Sequence, residues 1–311
     1  MRRIIDFHTH LGDIFHENKS IAFKRPGIVK HPDGFDPFED LEQSGFTRPL
    51  IVPDIEAQNV LIDAGQYRIW DRANIFTTGE IMDKTGISYM VSMPIMPNTS
   101  FEEALAASKL DPRFIPFTCP DFDLPDEQMM AKLKKDIALG AKGLKIHPII
   151  QNIEITDQRC EAPIKLFGEM DMPISYHCGV NDKADSPYLS LTNLNYGALD
   201  YTFKLLKKFP DYVIIPAHGG GSCGGELEAL AEAVKKNGYK NVYVEMSHRG
   251  AADIVKSVEL FGEDRVMFAT DWPFDTCDCN IKCAEEALGG DPVALDKYFY
   301  RNAARILHLN F

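Results

Sequence analysis

His8 and His10 stand two apart in Asp6-Phe7-His8-Thr9-His10, directly after the apolar pair Ile4-Ile5. Residues i and i+2 of a β-strand point to the same face. Two imidazoles at the end of a buried strand could therefore grip one metal ion from a single element, or serve simply as polar residues at a strand end. Three more ionisable residues end apolar runs. His177 closes Ile174-Ser175-Tyr176, His218 follows Ile215-Pro216-Ala217, and Asp271 follows Phe268-Ala269-Thr270. Lys145 and His147 end a further run, Gly143 to Ile146, and share one face of it. Five of the nine histidines fall at such ends, which structural hydrogen bonding alone explains poorly. Imidazoles with a carboxylate suit Zn²⁺, with Mn²⁺ or Fe²⁺ as alternatives.

Those residues need a scaffold that gathers strand ends. Eight short apolar runs recur along the chain: Ile4-Ile5, Tyr89–Met93, Phe114–Phe117, Gly143–Ile146, Ile174–Tyr176, Val213–Ile215, Val242–Val244 and Val266–Phe268. Segments with apolar residues at helical spacing lie between them, as at 126–139, 199–208, 226–236 and 251–261. Strands alternating with helices imply a parallel sheet, and eight units fit a closed (β/α)8 barrel, a TIM barrel within the α/β class. An open doubly wound sheet is the alternative, but no G-x-G-x-x-G follows the first run. In such a barrel the C-terminal strand ends form the active-site face, where all these polar residues fall.

The stretch from about 14 to 76 breaks the rhythm and is rich in Pro, Asp, Phe and charge. A long insertion after strand one emerges on the active-site face. It reads as a cap over the pocket or as a peripheral, oligomer-forming insertion. The 311 residues otherwise read as a single barrel domain, 1–311, with 45% hydrophobic residues to fill its core. A formal net charge of -13 argues against sequence-independent nucleic-acid binding. No apolar stretch approaches the ~20 residues of a membrane span, and the first residues do not read as a signal peptide. Seven cysteines are an odd number, consistent with reduced thiols and a cytoplasmic protein. Cys277, Cys279 and Cys283 do not match a standard zinc spacing and read as loop or helix thiols.

Arg249, in Glu245-Met246-Ser247-His248-Arg249, follows the seventh run and could clamp a substrate carboxylate with two hydrogen bonds, or be a solvated loop arginine. The glycine run Gly219-Gly220-Gly221 lacks the lysine of a phosphate loop and is read as backbone passing close to the pocket.

H-x-H after strand one, histidines after strands five and six, Thr270-Asp271-Trp272-Pro273-Phe274 after strand eight, and the closing Asn302-Ala303-Ala304-Arg305-Ile306-Leu307 together resemble the amidohydrolase superfamily. The likeness is greatest to its amidohydrolase-2 branch, which includes the aminocarboxymuconate-semialdehyde decarboxylase type. The resemblance implies that His8, His10, His177 and Asp271 hold one divalent metal ion. It implies that His218 is the catalytic acid/base group and that Asp271 takes a proton from water. Binuclear relatives carry a carbamylated lysine near the place of Lys145; an unmodified Lys145 and a single ion are expected here. Lys145, His147 and Arg249 are the expected substrate contacts. The expected activity is a metal-dependent hydrolase acting on an amide, lactone or ester-like bond of a small molecule that bears a carboxylate. The alternative is a non-oxidative decarboxylase using the same site. Decarboxylases of the branch tend to have H-x-G-E after strand six, whereas here the first glutamate after His218 is Glu226, which favours the hydrolase. No nucleic-acid or membrane partner is expected, and a homo-oligomer stays open.

Overall fold

In the computed structural model the described residues are 2–16, 21–25, 36–47, 55–179, 194–221 and 225–309. Residues 180–193 and 222–224 lie outside them, as do parts of the insertion at 14–76.

All eight apolar runs form strands: β1 (Ile5–Thr9), β2 (Tyr89–Ser92), β3 (Phe114–Pro116), β4 (Leu144–Ile146), β5 (Ile174–Tyr176), β6 (Ile214–Pro216), β7 (Val244–Glu245) and β8 (Val266–Met267). All pairings are parallel, in the sets β1-β2-β3, β4-β5-β6 and β7-β8. Single parallel bridges join the sets at Thr118–Leu144, Ile214–Val242 and Thr9–Trp272. The last runs beside the bonds Phe7 N–H to Phe268 O (3.1 Å) and His10 N–H to Trp272 O (2.7 Å), so the end of the chain meets its beginning. The fold is a (β/α)8 barrel.

The strands are short and apolar because both faces are covered, as parallel sheets require. Their alternation divides the core. Met90, Phe114, Leu144, Ile146, Ile174, Tyr176, Ile214, Val244 and Val266 pack with the surrounding helices. Ile5, Phe7, Val91, Ile115, Phe117, Val213, Ile215 and Met267 form a second cluster with Tyr300, Ala303, Ala304, Ile306 and Leu307 of the closing segment. That segment contains a π-helical turn at Lys297–Arg301 and the helix Asn302–Ile306.

Among the described residues three α-helices follow β1: α1 (Pro37–Gln43), α2 (Ile55–Arg72) and α3 (Ile75–Thr85). Asp36 caps α1 by accepting from Phe38 N–H, with Pro37 at the first helical position, where its missing N–H costs nothing. The described parts of the insertion pack on loops that leave the C-terminal strand ends. Phe38 meets Phe274 at 6.0 Å between ring centroids, and Ile14, Phe38, Ala64, Ile69, Ile95 and Phe274 form one apolar cluster. Buried Arg68 of α2 donates to Asp36 Oδ2 (2.6 Å), Glu42 Oε1 (2.7 Å) and Phe274 O. Among the described residues no helix is long and apolar enough to cross a membrane.

Candidate metal centre and active site

A bulge interrupts β1 between Asp6 and Thr9, where the two histidines leave the strand. Bulges re-aim side chains, and here the result is convergence. Buried His8 and His10 both point Nε2 at Asp271, at 3.4 and 3.1 Å from Oδ1. Each ring is held from behind. His10 Nδ1 lies 2.8 Å from the carbonyl of Met93, and His8 Nδ1 lies 2.9 Å from Glu245 Oε1. Both partners only accept, so both Nδ1 atoms carry a proton and both Nε2 atoms are turned to the carboxylate.

Asp271 is also fixed from behind: its Oδ2 accepts from His248 Nε2 at 2.9 Å. Its Oδ1 is buried and has no hydrogen-bond partner of proper geometry among the described residues. Lys145 Nζ, 2.8 Å from His8 Nε2, already brings positive charge to this convergence. A divalent ion would sit among the three atoms, as ligands ~2.0–2.1 Å from one tetrahedral ion stand about 3.3 Å apart. The residues present therefore fit a divalent ion held by His8, His10 and Asp271.

His177 is placed differently from those three. Its Nδ1 lies 3.2 Å from His218 Nε2, and its ring stacks on His147 at 4.1 Å. It is not in the group whose ligand atoms lie within 4.8 Å of one another. His218 and His248 do approach Asp271 within that distance. Lys145 is fully buried with Nζ 2.8 Å from His8 Nε2, so it belongs to the site. Burial pushes its ammonium down to about 8 against the pull of the Asp271 and Glu245 carboxylates. His147 is buried on the same face; its Nδ1 accepts from Ile150 N–H. Arg249 is otherwise engaged: it donates to His218 O (3.2 Å), Gly221 O and Asp253 Oδ2 (3.1 Å). With these bonds its guanidinium braces the loop after β6.

Electrostatics set the resting charges. Burial pushes His218 well below the ordinary imidazole value and His177 down to about 3, so both rest neutral. Burial alone would raise Asp271, but His8, His10 and His248 overcome it and hold the carboxyl well below its usual range. His248 is the opposite case. Burial disfavours its charge, yet Asp275 (2.7 Å from Nδ1) and Asp271 together lift it to about 10.

Sequence reading missed Glu245, Ser247, His248 and Asp275. The signal for two of them was present: Glu245 and Ser247 alternate at the end of β7 as His8 and His10 do at the end of β1. His218, His248 and Asp271, at the ends of β6, β7 and β8, all have φ between 55° and 60°. Non-glycine residues are uncommon in this left-handed region, and such conformations cluster at functional sites.

The chain matches the family described as Amidohydrolase over residues 5–309. It belongs to the amidohydrolase-2 family. Solved structures with the same fold include a 5-carboxyvanillate decarboxylase from Sphingomonas paucimobilis (14% identity, TM-score 0.66, all of both chains covered). Another is a dihydroxybenzoic acid decarboxylase from Polaromonas sp. JS666 with bound manganese and the inhibitor 2-nitroresorcinol. It has 16% identity and a TM-score of 0.67, covering 100% of this chain and 98% of that one. A third is a probable 2-pyrone-4,6-dicarboxylic acid hydrolase from Acinetobacter baumannii with citric acid bound. It has 11% identity and a TM-score of 0.59, covering 98% and 99%. No curated protein matches in sequence. This amidohydrolase-2 protein therefore has an enzyme family's barrel, with decarboxylases and a hydrolase among its structural neighbours.

Proposed function

We propose that this protein is a metal-dependent, non-oxidative decarboxylase of a small carboxylic acid. The observation that carries the reading is the way Asp271 is tied. Oδ2 is committed to His248, and Oδ1 faces the two Nε2 atoms of His8 and His10. A carboxylate so held is a ligand and a poor proton acceptor. Hydrolysis requires a group to take a proton from water, the role expected of Asp271, and this arrangement weakens that role. Decarboxylation makes other demands: a cationic pocket for the carboxylate, stabilisation of the electron pair left on carbon, and a proton returned to that carbon.

The residues divide accordingly. His8, His10 and Asp271 would hold the ion, with His177 the fourth expected ligand. A divalent ion there supplies Lewis acidity to a substrate oxygen, and Mn²⁺ is as suitable as Zn²⁺. Lys145 offers a buried positive charge for a substrate anion. His218, neutral with a lone pair on Nε2, would take a proton from a substrate hydroxyl or from solvent water and give it to the carbon whose C–C bond breaks as CO2 leaves. The decarboxylases among the structural neighbours support this reading, as does the manganese bound in one of them.

Hydrolysis of a lactone or ester-like bond is the second reading, supported by the pyrone-dicarboxylic acid hydrolase neighbour and by the missing H-x-G-E. Glu226 weakens the latter point: it folds back on Gly221, where an added Cβ would stand 3.1 Å from its Oε1. The experiment is direct. Protein loaded with Mn²⁺ or Zn²⁺ is offered hydroxylated aromatic acids and, separately, lactones and aryl esters. CO2 release is the expected result, and hydrolysis without CO2 release overturns it.

A further inference from the structure

We propose that Glu245 is a positioning residue that holds His8 directly and, through the hydroxyl of Ser247, fixes which ring nitrogen of His218 carries the proton. The inference rests on the reading of His218 as the acid/base group, and it deepens that reading by naming what makes its Nε2 the working atom.

Glu245 and Ser247 are both fully buried. The Glu245 carboxylate collects four donors from three elements. Oε1 accepts from His8 Nδ1–H (2.9 Å) and from the main-chain N–H of His218 (2.8 Å). Oε2 accepts from Ser247 N–H (2.9 Å) and Ser247 Oγ–H (2.7 Å). A hydroxyl has one proton. Ser247 gives that proton to the carboxylate, so its oxygen can only accept from His218 Nδ1 at 2.7 Å. The Nδ1 of His218 is therefore protonated and its Nε2 bears the lone pair. His177 Nδ1 lies 3.2 Å from that Nε2. One carboxylate thus sets two imidazoles, His8 and His218, so the ligand side and the proton-carrying side of the pocket share a single anchor.

The test separates the two branches. The full chain, ¹⁵N-labelled at histidine and loaded with diamagnetic Zn²⁺, is read by long-range ¹H–¹⁵N NMR, which distinguishes protonated from unprotonated ring nitrogens. Zn²⁺ affinity is read by competition with a chromophoric chelator. Wild-type His218 is expected to show a single tautomer with the proton on Nδ1. Ser247→Ala should populate both tautomers of His218 with Zn²⁺ affinity unchanged, and Ser247→Thr, which keeps the hydroxyl, should restore the single form. Glu245→Gln should disturb His218 as well and weaken Zn²⁺ by about 10- to 100-fold, the usual effect of removing a partner behind a ligand. Should Glu245→Gln fail to fold, the alanine and threonine variants decide alone. A single Nδ1–H tautomer surviving in Ser247→Ala overturns the proposal, as does loss of Zn²⁺ in that variant. Failure of the acid/base reading looks different: His218 Nε2 would carry the ¹⁵N shift of a zinc-bound nitrogen while the proton stayed on Nδ1.

Discussion

His248 Nε2 and Asp271 Oδ2 meet at 2.9 Å, and both residues sit in left-handed backbone at the ends of neighbouring strands. The contact turns Asp271 so that its other oxygen faces His8 and His10. It also gives the imidazolium of His248 a carboxylate on each side, with Asp275 at 2.7 Å. A pH dependence follows. The folded-state value of His248 is raised from 6.5 to about 10, so its stabilisation is fully present below about pH 6.5 and is lost as pH rises through about 10. His248→Gln should destabilise the chelator-treated protein by ~3–5 kcal/mol at pH 6, the cost of leaving one side of a buried ion pair uncompensated. The gap to wild type should narrow towards pH 10. Urea unfolding at several pH values checks this, and a gap that widens with pH would refute it.

Metal retention should depend on His8, His10 and Asp271 together. Alanine at any of them should weaken Mn²⁺ or Zn²⁺ binding by more than the roughly 10- to 100-fold that follows loss of a partner behind a ligand. His177→Ala is the informative variant. A loss of metal matching that of His8→Ala establishes His177 as a ligand, whereas near-normal retention leaves it as a neighbour of His218. Elemental analysis after gel filtration is sufficient.

His218→Asn should keep its metal and lose turnover. General acid–base catalysis contributes ~10²- to 10⁴-fold, so kcat should fall within that range once a substrate is in hand. Loss of metal in this variant would make His218 a ligand. Unchanged kcat with unchanged metal would leave the reaction without its proton carrier.

The insertion should loosen when Arg68 is replaced. Its guanidinium, 3% exposed, offsets the carboxylates of Asp36 and Glu42 and bonds to the main chain at Phe274. Arg68→Met leaves two carboxylates uncompensated, at a cost of ~3–5 kcal/mol by the same reasoning as for any broken buried pair. Amide exchange should accelerate over 36–47 and 63–73 while the strands stay protected. Uniform loss of protection would show instead that the insertion and barrel unfold as one unit.

The eight strands were legible because each is a short apolar run between polar helical segments, and their ends already named His8, His10, His177, His218 and Asp271. Less legible was which atoms meet. The bulge in β1 re-aims the two histidines, and no residue type announces it. Glu245 and Ser247 read as an ordinary strand end, because the donors that make Glu245 a hub come from β1 and from the loop after β6. Arg249 was the reverse case. An arginine after a strand suggests an anion clamp, whereas each nitrogen of this one donates to a local main-chain oxygen or to Asp253, contacts that spacing does not record. The hydrolase expectation leaned on the glutamate missing from the three residues after His218, and spacing along the chain does not record that Glu226 folds back on Gly221.

The seam between β1 and β8 has a consequence for how the protein comes into being. His8 leaves the ribosome long before Asp271, yet they face each other across that seam. The closing segment supplies Tyr298 O to Phe268 N–H, so β8 is itself held by residues made later still. A nascent chain can form most of its strand pairs in the order of synthesis, but the three-ligand cluster has no precursor until translation has passed Asp271. Metal uptake then becomes a reporter of ring closure: ribosome-bound chains arrested before Asp271 should acquire no ion at this centre, however much of the barrel they have already folded.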